Sequence, residues 1–117
     1  MCTEQKRKLL IAMIKGHRRL ESVLEGFLEL GLPGATVFDA KGMGQIVSLE
    51  LPIFSGFRSM FPGGGEETYV LMSVLLKEQV DEAASLVSEV CGDFGEKGTG
   101  ILFTLPVIDF MGPGTTQ

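Results

Sequence analysis

The first half of the chain alternates a short apolar run with an amphipathic segment. The run KLLIAMIK, residues 8–15, lies between charged residues and predicts a buried central strand. The next segment predicts a helix, because its apolar residues recur three and four positions apart and form one stripe: Leu20, Val23, Leu24, Phe27 and Leu28. Gly31 is placed to end this helix, and Pro33-Gly34 to turn the chain into a second strand.

The second half predicts further strands and a second helix. The segments GQIVSLEL, residues 44–51, and EETYVLMSVLLK, residues 66–77, favour a pair of long strands joined by a loop. A helix beginning near Gln79 and ending at Gly92 has a buried stripe consisting of Val80, Ala83, Ala84, Val87, Val90 and Cys91. The run ILFTLPVIDF, residues 101–110, predicts the last strand, and residues 111–117 predict a flexible tail.

The order of these elements, βαββαβ, predicts one α+β domain over residues 1–117. A ferredoxin-like arrangement fits this order, with a four-stranded antiparallel sheet and both helices on one of its faces. The second and fourth strands would be the outer strands, both apolar and long. Because unprotected edges of this kind pair with other subunits, we expect an oligomer.

Composition narrows the class of protein. No apolar run approaches the roughly 20 residues of a membrane span, and the run Leu9–Ile14 is shorter than the core of a signal peptide. The two cysteines, Cys2 and Cys91, make neither a disulfide framework nor a metal set, so we expect a cytoplasmic protein. The net charge is −5, and no aromatic residues interleave with the basic residues near the start, which argues against nucleic acid as a partner.

Two glycine clusters are candidates for ligand binding. They are AKGMGQ, residues 40–45, after the second strand, and GEKGTG, residues 95–100, before the last strand. Backbone N–H groups that point outward from such segments can hold a phosphate. Simple turns at the strand ends explain the same glycines. Neither cluster has the spacing of a Walker sequence.

The chain resembles the nitrogen-regulatory PII signalling proteins. The segment KLLIAMIKGHRRLESVLEGFLELGLPGATVFDAKGMG, residues 8–44, is similar to the front half of that family, where a strand ending IIKP, a helix, GITGMTV and KGFG follow one another. The segment GTGILFTLPV, residues 98–107, is similar to the family's GDGKIFVLPV. The resemblance covers most of residues 7–107. It implies a homotrimer of ferredoxin-like subunits with a small anionic effector, expected to be an adenine nucleotide (ATP, ADP or AMP), in the clefts between them.

The resemblance also implies a set of nucleotide-binding residues: Gly34, Thr36, Gly42, Gly44, Gln45, Lys97, Gly98, Thr99 and Gly100. Gly34 and Thr36 match the adenine side. The base of the effector loop is matched by Gly42, Gly44 and Gln45, and the phosphate side by Gly98, Thr99 and Gly100. Lys97 matches no lysine of the family and could supply charge only by a different route. Three departures reduce the positive charge available to a phosphate. Ile101 stands at the family's phosphate-binding lysine, Gln45-Ile46 replaces an Arg-Gln pair, and no arginine follows the last strand. These departures predict weak ATP binding, a less charged nucleotide or another ligand.

The segment LPIFSGFRSMFPGGG, residues 51–65, occupies the position of the family's effector loop, which we place at about residues 45–67. Phenylalanine and arginine are favoured at interfaces, so the candidate partner-binding residues are Phe54, Phe57, Arg58 and Phe61. The resemblance makes Arg58 the candidate for contact with a target protein or membrane transporter, since FRS lies where the family has YRG. The same aromatic residues would fit equally well folded back onto the sheet. The only tyrosine, Tyr69, is placed in the next strand, so control by tyrosyl modification is not expected.

The residues predict neither an enzyme nor a metal site. His17 is the only histidine and precedes the first helix, where a solvated turn residue is the usual case. The carboxylates lie on helix faces without visible acid–base pairing. We therefore expect a regulatory protein. The residues identify no cofactor other than the adenine nucleotide that the resemblance implies. Two alternatives remain, a structural or interaction trimer without a ligand and a metal-tolerance-type trimer of the same fold.

Overall fold

The computed structural model describes residues 7–32, 34–47, 56, 67–92, 95 and 100–112. The elements, in chain order, are β1 (Arg7–Lys15), α1 (His17–Leu30), β2 (Thr36–Ala40), α2 (Met43–Gln45), β3 (Thr68–Leu76), α3 (Lys77–Cys91) and β4 (Gly100–Val107). The strands pair antiparallel in the order β2-β3-β1-β4. This is the ferredoxin-like arrangement predicted from the sequence, with β1 inside the sheet and β2 and β4 at its edges. None of the helices among the described residues is long and apolar enough to span a membrane.

The core lies between the two long helices and one face of the sheet. Alternate residues of the central strands turn toward the helices because side chains along a strand have a period of two. Leu10, Ala12 and Ile14 of β1 and Leu71 and Leu75 of β3 are completely buried. They pack against buried residues of α1 and α3, namely Leu20, Val23, Phe27, Ala83, Val87 and Cys91.

The buried face of α1 differs from the predicted stripe at one side. Leu20, Val23 and Phe27 are buried as expected, but Leu28 is 80% exposed. Gly26 is buried instead, and a Cβ atom placed there would lie 2.5 Å from the side chain of Leu86 in α3. The reason is that α1 packs against α3 as well as against the sheet. This close contact turns the side of the helix that carries Gly26 inward and leaves Leu28 outside.

The predicted helix ends at Gly31 and Gly92 are confirmed. Gly31 has a left-handed backbone, with φ of 72°, and its N–H donates to the carbonyl of Leu28 while that of Leu32 donates to Phe27. These two bonds form a Schellman motif. α3 begins at Lys77, two residues before the predicted Gln79. The side-chain oxygen of Gln79 accepts from the N–H of Leu76 at 2.9 Å, so this glutamine caps the helix from its third position.

The segment after β2 was predicted wrongly. β2 ends at Ala40 and is five residues long, whereas a long edge strand was expected. Residues 44–47 do not begin a strand, because α2 and the two residues after it form a helical turn in which the N–H of Ile46 donates to the carbonyl of Gly42 at 3.1 Å. The local β-propensity of Ile46 and Val47 does not decide the conformation of this segment. The rest of the predicted loop, residues 48–55 and 57–66, and tail residues 113–117 lie outside the described residues.

The face of the sheet that points away from the helices is apolar. By register, β1 and β3 contribute Leu9, Ile11, Met13, Val70, Met72 and Val74 to it. Towards the edges, Phe38 of β2 and Ile101, Phe103 and Leu105 of β4 are between 39% and 54% exposed. Contiguous apolar surface of this kind usually marks a site of interaction. We call this surface the open face.

Candidate functional site

A cavity beside the start of β2 contains the two residues predicted for the adenine side. Gly34 and Thr36 form one of its walls, and its volume is about 480 Å³. The hydroxyl of Ser73 donates to the carbonyl oxygen of Gly34 at 2.5 Å and holds this wall against β3. The floor is apolar and consists of Leu9, Met72, Val74 and Leu76. The volume falls within the range of cavities that bind small molecules.

Arg7 and Phe110 line the same cavity, and neither was identified from the sequence. The guanidinium carbon Cζ of Arg7 lies 4.2 Å from the centroid of the Phe110 ring, which is a cation–π contact. The Arg7 side chain makes no hydrogen bond or ion pair with any other described residue. The register of β1 with β4 sets Arg7 opposite Val107, three residues before Phe110. The only indication in the sequence was an aromatic residue at the end of the run predicted as the last strand.

Gly42, in the first glycine cluster, has no reason within the described chain to be glycine. Its φ and ψ are −79° and 162°, an extended conformation that any residue adopts. Apart from its two chain neighbours, a Cβ atom at this position would find no atom of a described residue within 4 Å. Neither backbone strain nor the close approach of the chain itself therefore explains this residue.

Gly100 is glycine for a different reason. Its φ of 127° lies in the region that favours glycine, so the start of β4 requires this residue. It pairs with Ile14 at the same end of the sheet as Gly42, but on the opposite edge. Three strand spacings of about 4.8 Å separate the two edges by roughly 14 Å. Within one chain, Gly42 and Gly100 are thus too far apart to contact the same phosphate. Gly44 lies within α2, while Lys97, Gly98 and Thr99 lie outside the described residues.

A second cavity, of about 310 Å³, lies at the end of β2 next to Gln45. The Oε1 atom of Gln45 is buried and has no hydrogen-bond partner among the described residues. Two carboxylates, Asp39 and Glu67, line this cavity together with Lys41. An unpaired buried acceptor is satisfied by a donor or a cation. The described lining of this cavity therefore carries two carboxylates against one lysine, which is unfavourable for a phosphate at this point.

Tyr69 and His17 form a polar cluster beside the second cavity. The Tyr69 hydroxyl donates to Glu67 Oε1 at 2.7 Å, and this bond is the main reason why the pKa of Tyr69 is raised; partial burial and the charges of Glu67 and Asp39 add to it. The His17 ring packs edge-on against the Tyr69 ring with 6.0 Å between centroids. His17 was expected in a turn before α1. It is instead the first residue of that helix, exposed, with Nε2 3.1 Å from Glu21 Oε2.

Cys91 is buried in the core, as its position on the helical stripe predicted. Burial raises the pKa of its thiol, and the nearby positive charge of Arg19 offsets part of this effect. Within the described ranges, no three side chains of the histidine, cysteine or carboxylate type come together in a way that could hold a metal ion. The four partner-binding candidates, Phe54, Phe57, Arg58 and Phe61, lie outside the described residues and stay predictions.

The architecture is that of the PII proteins. The crystal structure of Arabidopsis thaliana PII bound to citrate is similar to this chain, with a TM-score of 0.65 and 24% sequence identity. The match covers 97% of this chain and 88% of the Arabidopsis chain. The comparison shows a PII-like fold over nearly the whole chain. No protein family model and no curated protein sequence matches the chain.

Proposed function

We propose that this chain is a PII-like regulatory protein rather than an enzyme. It assembles as a homotrimer, binds a small anionic effector in the clefts between subunits and controls a partner protein through the loop at about residues 45–67. The observation that carries the proposal is the structural similarity to a PII protein over 97% of the chain. The two sequence motifs support it, since KGMG follows β2 and GTGILFTLPV leads into and along β4.

The open face supports the assembly part of the proposal. Ile101, Phe103 and Leu105 are 54%, 39% and 46% exposed on one edge strand. A second copy of the chain would remove this apolar area from water, with a gain of about 25 cal/mol for each Å² that is buried. Light scattering on the purified protein tests this directly, with a trimer as the expected result. A monomer at micromolar concentration would overturn the assembly and the sites between subunits.

The separation of the predicted site residues supports a ligand site between subunits. Gly34 and Thr36 lie at one end of β2, while Gly42 and Gly100 lie at the other end of the sheet. We infer that residues of two subunits close around the effector. An adenine nucleotide is the proposed effector, and the mixed charges around Gln45 favour one with few phosphates. The Arabidopsis protein was crystallised with citrate, so small carboxylates belong in the same screen.

A thermal-shift screen tests the proposed ligand. A compound that binds only the native protein raises Tm in proportion to ln(1 + [L]/Kd), by mass action. We expect AMP, ADP or ATP to raise Tm, and 2-oxoglutarate, bicarbonate and citrate provide comparison anions. The mixed charge near Gly42 also favours a second candidate, an interaction trimer without a ligand. That candidate is supported if the trimer persists and no compound in the screen changes Tm.

The loop is the proposed contact with a target protein or membrane transporter. Deletion of residues Phe54–Phe61 should leave the trimer and its Tm nearly unchanged, because loop-closure entropy changes by only about 0.6 kcal/mol for each halving of loop length. The variant to compare with this deletion is Arg58→Ala in the chain that keeps the whole loop. It tests whether Arg58 contributes to binding of a target protein. A large drop in Tm after the deletion would show that the aromatic residues are part of the packed core, and the docking role would then be wrong.

A further inference from the structure

We propose that the groove between α1 and α3 docks a short basic amphipathic helix of a partner protein. The groove has a volume of about 490 Å³, and most residues that line it are exposed, so it opens on the side of the helices that faces away from the sheet. We call it the helix groove. No described residue of the open face, the glycine clusters or the loop lines it. The docking proposal can therefore fail while the proposed trimer and its ligand stand, and the reverse is also true.

The floor of the helix groove is apolar and short. Gly26 of α1 and the half-buried Leu86 of α3 meet at its bottom, and Leu30 is 41% exposed beside them. A helix fits between two other helices because its apolar residues recur three and four positions apart and form one face. The lining from α3 extends from Asp81 to Glu89, which corresponds to roughly 12 Å, or about two helical turns. A partner helix of this length therefore fills the groove.

The charge around this floor determines which helix fits. Four carboxylates line the helix groove and no described basic residue does: Glu29 of α1 and Asp81, Glu82 and Glu89 of α3. None of these carboxylates makes an ion pair with another described residue. Lysine or arginine side chains on the partner complement them, while an apolar residue between those side chains covers the floor. The groove therefore selects a basic amphipathic helix over an acidic or a purely apolar one.

Two of the four carboxylates occupy helix positions that are unfavourable for a negative charge. Glu29 lies in the last turn of α1 and Glu89 in the last turn of α3, and neither turn contains a basic residue. The C-terminal end of a helix carries the negative end of the macrodipole, so both carboxylates lower helix stability in the free protein. Folding alone does not explain them. A lysine or arginine from a partner neutralises the carboxylate and the helix end together.

Fluorescence anisotropy with the full-length protein tests the proposal, with the labelled, end-capped peptide KKLAKLLKKLAKK as the probe. Its leucines form one helical face, and its lysines fill the opposite side. We expect saturable binding that weakens as salt is added, because salt screens exposed ion pairs. The peptide KLKLKAKKALKLK has the same composition without an apolar face and should bind at least about fivefold more weakly. Equal binding of the two peptides, or no saturable binding of the first, would overturn the proposal.

Two double variants remove the same charge from the same two helices. Glu29→Gln with Glu89→Gln changes the helix groove, whereas Glu25→Gln with Glu78→Gln changes exposed positions that do not line it. The first pair should weaken binding of the amphipathic peptide at least about fivefold, and the second by less than about twofold. The first pair should also leave Tm unchanged or raise it, since it removes negative charge from two helix ends. Equal losses of binding in the two variants, or a lower Tm in the first, would refute the docking role of these carboxylates.

The apolar floor has a matched pair of its own. Leu30 lines the helix groove, while Leu28 is 80% exposed on the same helix and does not line it. Leu30→Ala should weaken binding of the amphipathic peptide at least about threefold, and Leu28→Ala should leave it unchanged. Equal effects of the two substitutions would contradict docking at this floor. If Leu30→Ala instead lowers the mass of the assembly in light scattering, the groove is an interface between copies of this chain and the proposed occupant is wrong.

Discussion

Replacing Gly26 with alanine is expected to destabilise the fold, although alanine is the better helix former. The new Cβ atom would lie 2.5 Å from both Cδ1 and Cδ2 of Leu86 and 2.9 Å from its Cγ. Since all three atoms are too close, rotation of the end of the leucine side chain alone does not relieve the contact. Overpacking of this kind costs about 1–3 kcal/mol. The gain in helix propensity offsets about 1 kcal/mol of it.

The net effect should be a loss of about 1 kcal/mol in the free energy of unfolding, which lowers Tm by roughly 4 °C in a domain of this size. A double-mutant cycle isolates the cause. In a Leu86→Ala background the three close atoms are gone, so Gly26→Ala should stabilise the protein by up to about 1 kcal/mol. The expected coupling between the two positions is therefore about 2 kcal/mol.

Urea denaturation followed by far-ultraviolet circular dichroism measures all four proteins of the cycle. Glu25→Ala, at the exposed neighbouring position of α1, is the control and should change stability by less than about 0.5 kcal/mol. The decisive observation is the sign of the Gly26→Ala effect in the two backgrounds. If the effect is the same with and without the Leu86 side chain, the close helix contact does not determine which face of α1 is buried.

Three further predictions concern the sheet and its ends. Gly42→Ala should leave stability unchanged, whereas Gly100→Ala should lower Tm because the φ of 127° at Gly100 is unfavourable for alanine. If Gly42→Ala loses nucleotide binding at unchanged Tm, Gly42 is a point of ligand approach. If Gly42→Ala keeps nucleotide binding, Gly42 is a simple turn residue. Phe103→Asp should dissociate the proposed trimer in light scattering without unfolding the subunit, and a persistent trimer would place the interface elsewhere. Tyr69 is the only tyrosine and no tryptophan is present, so ultraviolet titration of the phenol reports this residue alone. Its pKa should lie above the ordinary value and fall toward it in Glu67→Ala, which removes both the hydrogen-bond acceptor and the charge. Because the folded-state pKa is raised, the stabilising effect is present at neutral pH and is lost as the pH rises above about 10. An unchanged midpoint in Glu67→Ala would contradict the assigned cause.

The elements that the sequence determined by itself are those whose pattern depends on local backbone geometry. The alternation of buried residues in β1, the helical stripe of α3 and the ends of both long helices at Gly31 and Gly92 follow from periods of 2 and 3.6 and from the conformational freedom of glycine. The order of these elements was then sufficient to predict the ferredoxin-like sheet, and two motifs in register with it led to the PII-like resemblance.

Tertiary contacts decided the features that no local pattern contains. Leu28 fits the apolar stripe of α1 but is exposed, because the approach of Leu86 selects the side of the helix that carries Gly26. Arg7 and Phe110 lie near opposite ends of the described chain. They meet only because β1 pairs with β4, and a contact set by strand pairing cannot be seen in the spacing of residues along the sequence.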